Sequence, residues 1–81
     1  MREYALVIRS RDQDGRTTLE KHYIPSSEEG FRRILRSMER DESVQILYSG
    51  EVRSQKDRKR IEAFVEQTKR LIAGKRLGVI S

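Results

Sequence analysis

The chain has no cysteine, no tryptophan and no asparagine, and only one histidine and one proline among its 81 residues. Without cysteine there are neither disulfides nor thiolate metal sites. A lone His22 cannot build a zinc cluster, and no H-E-x-x-H, EF-hand or spaced carboxylate pattern supplies another metal site, so no metal is expected. The glycines exclude a second class of sites. Gly74 and Gly78 flank basic residues, but their spacing fits neither a Walker-type nor a dinucleotide-binding loop, and no cofactor is expected. His22 and Glu20, two residues apart on one strand face, form an acid–base pair on paper, yet no nucleophile or pocket signal accompanies them. A non-enzymatic protein is the expectation. The longest apolar run, Tyr4 to Ile8, is too short for a membrane span or a signal-peptide core, which argues for a cytoplasmic protein that does not enter the membrane.

What the chain does have is charge, at 38% of residues against 35% hydrophobic. Its length fits a single domain over residues 1–81 with a small core, which oligomerisation would help to complete. Residues 1–42 carry nine basic and nine acidic side chains, whereas residues 43–81 carry nine basic and four acidic, so the whole net charge of +5 lies in the second half. Such asymmetry suggests a polyanion partner, although small domains also carry surplus charge for solubility alone. Arginine outnumbers lysine, glutamate is abundant and asparagine is missing, a composition like that of thermophile proteins. Ion-pair networks are then a second reason for so many arginines.

Along the chain, residues 3–10 read as a strand apolar on both faces, hence central and covered on both sides. Asp14-Gly15 marks a hairpin, and Asp12 and Asp14 read as turn formers. Thr17 to Ile24 is a more polar edge strand, closed by Pro25. Ser26 and Glu29 form a capping box before a helix whose Phe31, Ile34, Leu35 and Met38 make one apolar stripe. Its outer face pairs Glu28 with Arg32 and Glu29 with Arg33 at i+4, with Arg36 and Arg40 further on. Val44 to Tyr48 is a third strand, with Val44, Ile46 and Tyr48 on one face, and Ser49-Gly50-Glu51 reads as a bulge or turn. Ser54 and Asp57 cap a last helix over about 55–73, in which Ile61, Phe64, Val65, Thr68, Leu71 and Ile72 repeat at helical spacing and Gly74 stops the helix. The tail Lys75 to Ser81 leaves open a short fourth strand. The sum is an α+β fold, ββαβα, with an antiparallel sheet in the order 2-1-3 and both helices packed on one face. Ala5, Val7 and Leu47 would then lie on an open face, which argues for a homodimer.

The densest cation cluster is Arg53, Lys56, Arg58, Lys59 and Arg60, at the start of the last helix, where positive charge opposes the helix dipole. An anion at that helix start would explain it. Lys69, Arg70, Lys75 and Arg76 extend the charge along the same half, while Glu62 and Glu66 interrupt it. Nucleic acid held through its backbone phosphates is therefore the expected partner. No helix-turn-helix, zinc-finger or RNA-recognition motif points to base reading, and Tyr4, Tyr23 and Tyr48, all on strands, are the available stacking rings. The alternative is a protein-interaction module, a small adaptor, inhibitor or regulator of the kind phages and plasmids encode, working through a charged face or an exposed sheet edge. An amphipathic last helix on anionic lipid ranks below both, because so small a core needs that apolar stripe.

Overall fold

The five apolar residues Tyr4, Ala5, Leu6, Val7 and Ile8 are all buried, with 0–5% of each exposed, and the rest of the fold is arranged to cover them. The computed structural model describes the backbone of residues 2–80 and the side chains of residues 2–72. Its elements run β1 (Arg2–Arg11), β2 (Thr17–Ser26), α1 (Glu28–Glu39), β3 (Val44–Glu51) and α2 (Gln55–Ile80). The α+β class, the element order and the antiparallel sheet β2-β1-β3 all follow the sequence reading. The backbone of the last helix runs on through Gly74 to Ile80, past the stop that the sequence suggests and in place of a short fourth strand.

The hairpin between β1 and β2 turns at Asp12–Gly15, closed by Gly15 N–H donating to the Asp12 carbonyl at 3.0 Å. Gly15 takes a φ of 79°, a left-handed conformation that a residue with a Cβ adopts only at a cost. The Asp12 carboxylate accepts from Arg16 N–H at 2.8 Å, so its role is in the turn. Pro25 stays within β2 opposite Glu3, which an edge strand tolerates because a proline there removes no ladder donor. The cap of α1 accordingly shifts one residue from its expected place. Ser27, not Ser26, is the N-cap, accepting from Gly30 N–H at 3.1 Å, while the Ser26 hydroxyl donates to the Ser27 carbonyl. A Cβ on Gly30 would stand 2.6 Å from the Ser26 hydroxyl oxygen, so a larger residue there would make that hydroxyl turn away.

The helices do not share a face. Alternation along β1 sends Tyr4, Leu6 and Ile8 to one side, where α1 meets them with Phe31, Ile34, Leu35 and Met38. Ala5 and Val7 point the other way and are covered by Ile61, Phe64 and Val65 of α2, together with Leu19, Tyr23, Leu47 and Val52. Two helices stacked on one face would leave half of β1 bare, and burying a Val- or Leu-sized side chain is worth about 1.5–3 kcal/mol. One helix on each side meets that demand within a single chain. It also closes the face on which the homodimer argument rested.

A β-bulge explains a second difference. Val7 pairs with Tyr48 but Ile8 with Ile46, so Leu47 is one residue too many on β3. The extra residue reverses the alternation. Val44 and Ile46 pack with α1 as the spacing predicts, whereas Leu47 and Tyr48 both turn toward α2. Ser49, Gly50 and Glu51, the expected site of the bulge, continue the strand in register with β1. Between α1 and β3 the Asp41 carboxylate accepts from the Ser43 hydroxyl at 2.7 Å and from Ser43 N–H at 2.9 Å, which together hold its pKa below the ordinary carboxylate value.

Candidate nucleic-acid interface

The start of α2 is set by its own residues. Ser54 accepts from Asp57 N–H at 3.3 Å, its carbonyl receives Arg58 N–H, and the Asp57 carboxylate reaches back to Arg53 N–H at 2.8 Å. A carboxylate thus already stands at the positive end of the helix dipole. Asp57 answers part of the electrostatic problem that the sequence raises. The cations must be judged by where their side chains go.

Two of them go inward or sideways. Arg58 pairs with Glu3 of β1, and its guanidinium stacks 4.5 Å from the centroid of the Tyr23 ring on β2. It is 37% exposed and ties α2 to both strands. Lys21 approaches the same ring at 5.5 Å and pairs with Glu62 of α2 at 3.2 Å, so Glu62 is drawn toward β2. Arg53 donates from Nε to Glu51 at 3.0 Å, and the other oxygen of Glu51 lies 3.7 Å from Arg2, which also reaches Glu28 at the same distance. Arg2, Glu28, Glu51 and Arg53 form one chain of charges across the end of the sheet. Arg53 and Arg58 are thereby engaged with acids of the domain itself.

The others face solvent. At 100° per residue, Lys56, Lys59 and Arg70 fall on the side of α2 opposite the buried Ile61 and Val65, with Arg60 on one flank and Lys69 on the other, and all five are exposed. Glu66 shares that side and sits 3.9 Å from Lys69. Among the described residues, Lys56, Lys59, Arg60 and Arg70 have no carboxylate within 4.0 Å. From Lys56 to Arg70 the row extends about 21 Å along the helix axis. The side chains of Lys75 and Arg76 lie outside the described residues.

The sequence could not separate engaged from solvent-facing cations. The partners of Arg58, Glu3 and Tyr23, are far away in the chain and become neighbours only when the sheet forms. His22 and Glu20 stand 3.9 Å apart on the exposed edge of β2. Among the described residues there is no group of three acidic or histidine side chains placed to hold a metal, and no helix is long and apolar enough to cross a membrane. No known protein family, curated protein or solved structure matches this chain, so the interface is described from its own side chains alone.

Proposed function

We propose that the protein is a non-enzymatic, cytoplasmic domain that binds nucleic acid, or a polyanion of similar charge density, through backbone phosphates on the solvent side of α2. The observation that carries this reading is the row Lys56, Lys59, Arg60 and Arg70, exposed and without a carboxylate within 4.0 Å among the described residues. Cations without partners release counterions from a phosphate chain when they bind it, whereas cations already paired must first give up their acids. Lys69 joins the row at the edge, and Lys75 and Arg76 extend it in sequence. Arg53 and Arg58 contribute only at long range.

The test is a salt titration with duplex DNA, single-stranded DNA and RNA, followed by fluorescence anisotropy. With Z phosphates neutralised on a duplex, log affinity falls against log salt with a slope of about −0.9Z. Lys59→Glu with Arg60→Glu should flatten that slope by about two units and weaken binding to every sequence alike. Affinity that responds to neither salt nor these changes would place the partner elsewhere on the surface.

One observation favours the alternative of a protein-interaction module. β3 is an unpaired sheet edge that carries a single charged residue, Glu51, in a chain otherwise dense in charge. An extended peptide, or a second copy of the chain in a homodimer, would add there as a further strand. The bulge at Leu47 interrupts the ladder that such pairing needs, so this reading ranks second.

A further inference from the structure

We infer that the ligand of this surface is single-stranded nucleic acid, with Tyr48 as the stacking platform for one base and the α2 cations as its phosphate contacts. The inference rests on the polyanion reading above and narrows it. Three tyrosines lie on the sheet, and the structure withdraws two of them. Tyr4 is buried and stacks on Phe31 with ring centroids 4.4 Å apart. Tyr23 is covered by Arg58 at 4.5 Å and Lys21 at 5.5 Å, and its hydroxyl is buried.

Tyr48 is different because of the bulge. The extra residue at Leu47 turns it to the α2 face at the open edge of the sheet, where 36% of it remains exposed. Its ring is held from behind, 6.1 Å from Phe64 at an interplanar angle of 46°, and its hydroxyl end lies over Gly50, where a side chain would come within 3.2 Å of it. A ring held by Phe64 and still partly exposed loses little freedom when a base stacks on it. Arg60 stands one helical turn before Phe64, and Leu71, 68% exposed, follows on the same flank of α2. The seam between β3 and α2 therefore offers an aromatic ring and an apolar side chain beside cations.

A duplex can use only the cations, since its bases are stacked away. A single strand presents phosphates and free base faces together, the pair of features that such surfaces bind without reading sequence. The only acid on β3, Glu51, is engaged by Arg53 and Arg2, so no unpaired carboxylate on that strand repels the phosphate chain.

The experiment compares a 12-nucleotide oligo-dT with a duplex of the same length, by anisotropy at fixed salt. Tyr48→Leu keeps an apolar side chain against Phe64 and removes the ring face, and Tyr48→Phe restores the face without the hydroxyl. The wild type should prefer the single strand. Tyr48→Leu should weaken oligo-dT binding about ten-fold with the salt slope and duplex affinity unchanged, and Tyr48→Phe should bind like the wild type. Salt-dependent binding that favours the duplex, or that Tyr48→Leu leaves untouched, would overturn the inference and leave the polyanion reading standing. No salt-dependent binding to either oligonucleotide would overturn both. Thermal melts of the two variants, with matching midpoints, establish that the comparison concerns binding and not folding.

Discussion

The two helices of this domain solve the same charge problem in opposite ways. α1 places acids in its first turn and arginines after them, and Glu28–Arg32 at 2.9 Å and Glu29–Arg33 at 3.1 Å satisfy one another within the helix. α2 begins with a cluster of cations, and two of its three acids are engaged outside the helix, Asp57 on the Arg53 backbone and Glu62 on Lys21 of β2, while Glu66 stays with Lys69. Arg58 is likewise taken by Glu3. Basic residues at similar density along a sequence therefore mean different things. On α1 the first two arginines pair with acids within the helix, and of these acids Glu28 also reaches Arg2 of β1. On α2 most of the pairing runs across to the sheet, and among the described residues Lys56, Lys59, Arg60 and Arg70 have no carboxylate within 4.0 Å, although Glu66 pairs with Lys69 on the same side.

The sharpest way to break this comparison is to ask whether the two helices share one core. Phe31 is the one buried residue of α1 and stacks on Tyr4, while Ile61 and Val65 anchor α2 on the other side of β1. Phe31→Ala should cost about 3–5 kcal/mol and Ile61→Ala about 2–5 kcal/mol, both read from urea denaturation midpoints. For a domain of this size either loss is a large share of the total stability. An unchanged midpoint in Ile61→Ala would mean that α2 is an appendage rather than the second cover of β1.

Arg58 gives the next largest effect. Arg58→Ala removes the pair with Glu3 and the guanidinium stacked on Tyr23, and should destabilise by about 1–2 kcal/mol, discounted for its partial exposure. Arg58→Lys keeps the charge but not the planar stack, so it should recover only part of the loss. A variant with wild-type stability would return Arg58 to the solvent-facing set and enlarge the proposed interface by one cation.

How much of this was legible beforehand depends on the range of the interaction. Periodicity placed Phe31, Ile34, Leu35 and Met38 against the sheet, and the run from Tyr4 to Ile8 marked a strand covered on both sides. That run demands a cover on each face, which two helices on one side cannot supply and one helix on each side does. The local charge pairs of α1 were readable at i+4. The bulge at Leu47 was not, because Val44 to Glu51 alternates plausibly in either phase and only the register against β1 chooses. The same holds for Arg58 and Glu62, whose partners lie on other elements, and hence for the distinction between Lys59 and Arg58 on which the proposed interface depends.

The smallest effect tests the comparison most directly. Glu28→Gln with Glu29→Gln removes both acids of the α1 pairs, each worth about 0.2–0.5 kcal/mol, and deprives the first turn of its favourable charge at the dipole. The unfolding free energy should fall by about 0.2–0.5 kcal/mol per pair at low salt, read as a lower urea midpoint. Lys59→Gln with Arg70→Gln removes two charges from α2 that have no carboxylate within 4.0 Å among the described residues, and so should leave stability unchanged or raise it slightly by relieving repulsion, while weakening polyanion binding. Raising the salt to about 1 M shortens the screening length to about 3 Å, and under those conditions the two double variants should converge on the wild-type midpoint. If instead the α2 variant lost stability at low salt and the α1 variant did not, the outward cations of α2 would be structural, and the surface that bears them would have no claim to be an interface.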